Sequence, residues 1–268
     1  MKKLSVFAVA FAAMVFASCG GNKSNQAPEQ TDSIKSFEQS QIEAAIKMNV
    51  DSLASEIGKL KNLPIIAADA KETFKLTKEE LQVKPDYLLD ANVAEDAATL
   101  TEKYRLLGAL EIDRKIAALY EMPTEDYDKA ITKLTADIND PSFKDLNENN
   151  PVSETTQALY DNMEKNGRIN YFWQIAAASL IEQLYVINQN SDKFLTAFDD
   201  EAAANVTFRI VLIQDALNRL SEYDPEIKPV AEALTTLESL NATTVSELKS
   251  QLAEAKEKIA AARKAIIK

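Results

Sequence analysis

One thiol stands in this chain, Cys19, in the stretch FASCGG between an apolar run and a glycine pair. A thiolate there is a potential nucleophile with no packing task, because the flanking residues offer nothing to bury it. Carboxylates are the other reactive groups. They cluster at Glu125, Asp126 and Asp128, and again at Asp199, Asp200 and Glu201. Paired carboxylates serve as general acid and base when burial drives their pKa values apart. Both runs sit beside turns in a chain that is 27% charged, so they read as solvated helix ends. The chain has no histidine, which removes imidazole acid–base chemistry near neutral pH and imidazole ligation of a transition metal. It also lacks a glycine-rich phosphate loop, a GxSxG turn and an HExxH helix. The expectation is a protein that is not an enzyme and holds no cofactor or metal.

Two further groups could bind rather than react. The run DINDPSFKDLNE, laid on a calcium-binding loop, places Asp137, Asn139, Asp145 and Glu148 where oxygen ligands belong. Pro141 and Ser142 then fall where the loop needs a side-chain oxygen and a glycine, so a polar helix-to-helix turn is the better account. Tyr171, Phe172 and Trp173 could line a pocket for an apolar or aromatic ligand. A helical core uses such residues as well, and the sequence favours that use.

The elements that must position these residues are helices. From Phe37 onward the only glycines are Gly58, Gly108 and Gly167, and prolines fall between periodic segments. Val245, Leu248, Leu252, Ala255, Ile259, Ala262 and Ile266 step by three and four, behind a capping box of Thr244 and Glu247. Val206, Ile210, Ile213, Leu217 and Leu220 do the same and stop before Asp224-Pro225, which should open another helix. In Ile169–Gln189 the stripe Ile169, Phe172, Ala176, Leu180, Leu184 and Ile187 is flanked by more apolar residues, and Glu182 is its only charge. A helix apolar on most sides is buried on most sides, which puts this one at the centre. Other helices are expected over 35–61, 94–121, 124–139, 152–166, 192–222 and 226–240, with a short one from Thr77 inside the less periodic stretch 62–93. The fold class is all-α, a multi-helix bundle of about seven to eight helices.

The N-terminus has a different pattern. Lys2 and Lys3 precede Leu4–Ala17, fourteen residues with Ser5 as the single polar side chain. That is too short for a spanning helix, which needs about 20 apolar residues. Phe16-Ala17-Ser18-Cys19 resembles the lipobox of bacterial lipoproteins, with Phe16 where leucine is usual. The resemblance implies a signal peptide over 1–18, cleavage before Cys19, and lipid attachment at Cys19 through a diacylglycerol thioether with further acylation by palmitate-type chains. Two or more chains make such an anchor stable. Residues 19–35 read as a flexible tether and 36–268 as the α-helical domain. Loss of Lys2 and Lys3 leaves 28 basic against 42 acidic residues, a net charge of −14, which argues against nucleic acid as a partner. Gly20 after the cysteine, where the best-known sorting rule reads Asp as a retention signal, implies the outer membrane. The absence of acidic residues from Gly20 to Pro28 favours the side facing the periplasm. Asp32-Ser33-Ile34 and Asp51-Ser52-Leu53 resemble the acceptor triplet of an envelope O-glycosylation system.

The functional expectation is a lipid-anchored cell-envelope protein acting as a non-enzymatic binding or scaffolding module with a protein partner in the envelope. The alternatives are a small-ligand receptor with a pocket near Trp173 and a helical repeat adaptor. The last rests on Glu125–Pro141, which resembles the second helix of a tetratricopeptide repeat in the placing of Tyr127, Ala130 and Leu134.

Overall fold

A computed structural model of the chain describes residues 29–59, 74–144, 146 and 152–267. Cys19 and its leader, the tether before residue 29, residues 62–73, and Asp145 and Glu148 of the oxygen-rich run lie outside the described residues. Eleven α-helices occur among the described residues, with no strand: α1 Glu29–Lys59, α2 Lys78–Gln82, α3 Leu100–Leu119, α4 Glu125–Ile138, α5 Val152–Lys165, α6 Ile169–Gln189, α7 Ser191–Phe194, α8 Asp200–Leu220, α9 Lys228–Thr235, α10 Val245–Glu254 and α11 Lys256–Ile267. No helix among the described residues is long and apolar enough to cross a membrane. Residues 41–267 form one compact unit; residues 29–40 belong to another and are helical.

The all-α bundle is as the periodicity predicts, and α6 is its axis. α3, α5, α8, α9 and α11 all pack on it, and Phe172, Trp173, Leu180, Leu184 and Ile187 are buried. The tightest approach is between α6 and α3. A Cβ on Gly108 would lie 2.7 Å from the carbonyl oxygen of Ile175, so only glycine lets the two backbones come this close. The Ser179 hydroxyl then donates to the Gly108 carbonyl at 3.1 Å. Because α11 also packs on α3, far away in sequence, the helices close around a core; they do not stack as units that touch only their neighbours.

Local chemistry sets the helix ends, and it explains where the expected boundaries shift. The helix expected from 94 starts at Leu100, because Thr99 and Glu102 form a reciprocal capping box; residues 91–95 make a separate 3-10 turn capped by Asp90. The helix expected over 192–222 is interrupted at Phe198, which is extended, and restarts where Asp199 takes the N–H of Ala202 at 2.8 Å. The last helix bends at Ala255, yet its stripe of Leu248, Leu252, Ala255, Ile259, Ala262 and Ile266 stays buried throughout. Thr77 and Glu80 cap the short helix expected there. Asp224 caps the turn at Pro225 that leads into α9. Gly167, at φ +65°, closes α5 while the Arg168 N–H returns to the Met163 carbonyl at 2.7 Å. The first helix begins at Glu29, ahead of the expected 35.

Candidate functional site

Successive residues of α6, Glu182 and Gln183, each meet an arginine, Arg263 partly buried and Arg209 buried. On one face Arg263 of α11 grips the Glu182 carboxylate in two parallel hydrogen bonds, Nε to Oε2 at 2.7 Å and Nη2 to Oε1 at 2.6 Å. Its guanidinium also lies 3.9 Å from the ring centre of Tyr185. Asp113 of α3 stands beside the pair, its Oδ2 3.6 Å from Arg263 Nη2 and accepting the Leu89 N–H at 2.8 Å. The Leu89 carbonyl in turn accepts from Tyr127 at 2.7 Å, which ties the segment before α3 onto the core. Asp113 Oδ1 has no donor facing it. Burial, and then the neighbouring Glu182 charge, push the Asp113 carboxyl well above the carboxylate range, and a hydrogen bond to Glu182 favours the protonated form. Arg263, Glu182 and Asp113 form one compact group across α3, α6 and α11. Its geometry is that of a closed structural tie.

On the other face Arg209 of α8 donates from Nη1 to Gln183 Oε1 at 2.9 Å. Arg209 is 2% exposed, and its Nε and Nη2 have no acceptor. Burial pulls its pKa down to about 10, with the Glu56 charge working the other way, so the guanidinium keeps its charge at neutral pH. Glu56 itself is bonded to Lys59 at 2.9 Å and accepts from Asn205 at 2.7 Å. Arg209 lines a cavity of about 170 Å³ between α1, α3, α5, α6 and α8. Its apolar wall includes Leu53, Ile57, Ile112, Phe172, Ile175 and Ile213, while Glu111, Lys115 and Thr156 bring polar groups to it. An apolar chamber with a few convergent polar groups is the usual form of a small-molecule site.

The expected pocket near Trp173 therefore has a counterpart one residue away. Trp173 is fully buried in the core, and its ring meets Phe172 edge-on at 5.2 Å, the residue that does face the cavity. Tyr171 turns elsewhere and stacks on Tyr104 at 4.3 Å. The two carboxylate runs lie at helix starts. Glu125, Asp126 and Asp128 are exposed in the first turn of α4. Asp199 caps α8, Asp200 accepts the Val245 N–H at 2.9 Å, and Glu201 pairs with Lys59 at 3.2 Å. In the oxygen-rich run Asp137 pairs with Lys133, Asn139 ends α4 at φ 49°, and Asp140 turns inward to Tyr104. No group of three metal-ligating side chains occurs among the described residues. Ser52 of the second glycosylation triplet sits within α1, its hydroxyl on the Met48 carbonyl at 3.2 Å, with Leu53 buried beside it.

Sequence reasoning noted Glu182 as the only charge of α6, without giving it a role, and missed Asp113, Arg209 and Arg263. The available signal was a charge inside an apolar stripe. Arg209 interrupts Val206, Ile210 and Ile213, and Asp113 occupies a place between Leu110 and Ile116. Comparison of the chain with protein families, with curated proteins and with solved structures finds no match.

Proposed function

We propose that this chain is a lipid-anchored cell-envelope protein whose helical body binds a small ligand without transforming it. The carrying observation is the apolar cavity beside α6 with the incompletely bonded Arg209 in its wall. A buried guanidinium lacking acceptors is an expensive feature to keep in a core, and a ligand supplying them gives it a reason. This reading develops the small-ligand alternative, since the cavity adjoins the residues around Trp173. The anchor rests on FASCGG: lipid on Cys19 holds the body at the membrane, at the outer membrane on the periplasmic side.

Two measurements test the two halves separately. Metabolic labelling with an alkyne-bearing palmitate should mark the wild-type chain and spare Cys19→Ser; equal labelling removes the anchor. Trp173 is the only tryptophan, so its emission reports on the wall next to the cavity. A broad screen of small amphiphiles that leaves both this emission and the melting temperature unmoved would overturn the receptor reading.

A further inference from the structure

The part of Arg209 left without acceptors is specific. Nε and Nη2 form the edge of a guanidinium that takes a carboxylate in two parallel hydrogen bonds. Arg263 uses that same edge on Glu182. Nη1 is already held by Gln183, which fixes the plane of the group and leaves its other edge unbonded and covered. Glu56, the anion whose charge Arg209 feels, is engaged by Lys59 and Asn205 and does not line the cavity. Lys115 and Glu111 on the wall add no net charge. The apolar chamber thus has in its wall one buried arginine with two donors left unbonded.

We infer that the cavity takes a small monocarboxylate, whose carboxylate draws the covered Nε–Nη2 edge of Arg209 into the chamber while its apolar body lies against Phe172, Ile175 and Leu180. This rests on the receptor reading above and names its ligand class. Arg209 offers one donor edge and one charge, and the wall's other cation, Lys115, stands with Glu111, so a phosphate dianion would bring a second charge that nothing further balances. Size limits the body. The chamber of about 170 Å³ is close to engineered apolar cavities of about 150 Å³ that hold benzene, so an acid of about six carbons fits.

The test uses the Cys19→Ser chain, free of lipid, titrated with hexanoate, 1-hexanol and hexyl phosphate by calorimetry and by Trp173 emission. Hexanoate is expected to bind at least about tenfold tighter than 1-hexanol, the effect of a charge-assisted bond in a buried site. Arg209→Met should erase that preference. Gln183→Glu, which supplies an internal carboxylate, should weaken hexanoate at least about tenfold while leaving 1-hexanol within about twofold. Circular dichroism and thermal melts check that each variant folds, and either variant alone suffices for the test. Equal affinity for hexanoate and 1-hexanol overturns the carboxylate inference and leaves the receptor reading standing. Tighter binding of hexyl phosphate reassigns the ligand class and overturns it too. No binding of any of the three, with Trp173 unmoved, removes the carboxylate inference and tells against the cavity as a site for this size of ligand.

Discussion

Arg263 and Arg209 reach side chains of α6 that are neighbours in sequence, Glu182 and Gln183. Arg209 is buried and Arg263 partly buried, and both are fixed by one helix. One meets a carboxylate that fills its two-pronged edge, with Asp113 beside it, its carboxyl pushed up by burial and then by the Glu182 charge. The other, a residue of the cavity wall, meets an amide that accepts a single bond and leaves Nε and Nη2 unanswered. The difference is one atom of side-chain chemistry, oxygen against nitrogen, at adjacent positions. It separates a closed tie between helices from an open site.

The largest effect should come from breaking the closed member. Arg263→Met strands the buried Glu182 carboxylate, and chemical denaturation at pH 7 should show a loss of about 3–5 kcal/mol. A loss under about 1 kcal/mol would mean that the tie is not structural. Gly108→Ala attacks the approach of α3 to α6 that brings Asp113 to Glu182. A methyl 2.7 Å from a backbone oxygen forces a shift, and about 1–3 kcal/mol should be lost.

Asp113→Asn is a smaller and pH-dependent change. Folded Asp113 holds its proton more tightly than the unfolded carboxyl near pH 4. Its contribution to stability is therefore complete below about pH 4 and is lost as pH rises through the folded value. Asparagine can keep the Leu89 bond and still donate to Glu182, so D113N should gain about 1 kcal/mol over wild type at pH 8 and little at pH 4. Glu102, held below its usual value first by the Thr99 N–H, pulls the overall slope the other way. The quantity to compare is hence the difference between variant and wild type in parallel urea melts.

The smallest effect on stability should be Gln183→Glu, which makes the open member resemble the closed one. A change of about 1 kcal/mol or less is expected, because the new ion pair offsets the burial of its own carboxylate. A destabilisation above about 2 kcal/mol would show that Arg209 does not offset a carboxylate placed at Nη1, and the likeness between the two arginines would fail.

Much of the fold was legible in the chain. Heptad-spaced residues such as Leu248, Leu252 and Ile259 and the caps at Thr77, Asp224 and Thr244 are short-range signals, readable wherever a stripe or a cap lies within a few residues. Boundaries shifted where two local signals competed. The helix expected from 94 starts only at Leu100, where the Thr99–Glu102 box fixes it, and a cap likewise sets the start of α8 at Asp199. Of the site, only Glu182 stood out as a lone charge in an apolar helix. Its partner lies 81 residues away in α11, a separation across which no periodicity carries information.

By itself, then, the sequence determined the fold class, the central place of α6 and the motif on which lipid attachment at Cys19 is proposed, because helical period and a leader pattern are written in consecutive residues. It also set the absence of imidazole chemistry, a matter of composition alone. Only the tertiary structure decided which buried charges meet. The Gly108 approach of α3 to α6 places Asp113 beside Glu182, and the packing of α8 and α11 on different faces of α6 assigns Arg209 to Gln183 and Arg263 to Glu182. Whether a buried guanidinium is satisfied depends on which acceptors lie within about 3 Å of it, and that is set by how the helices pack.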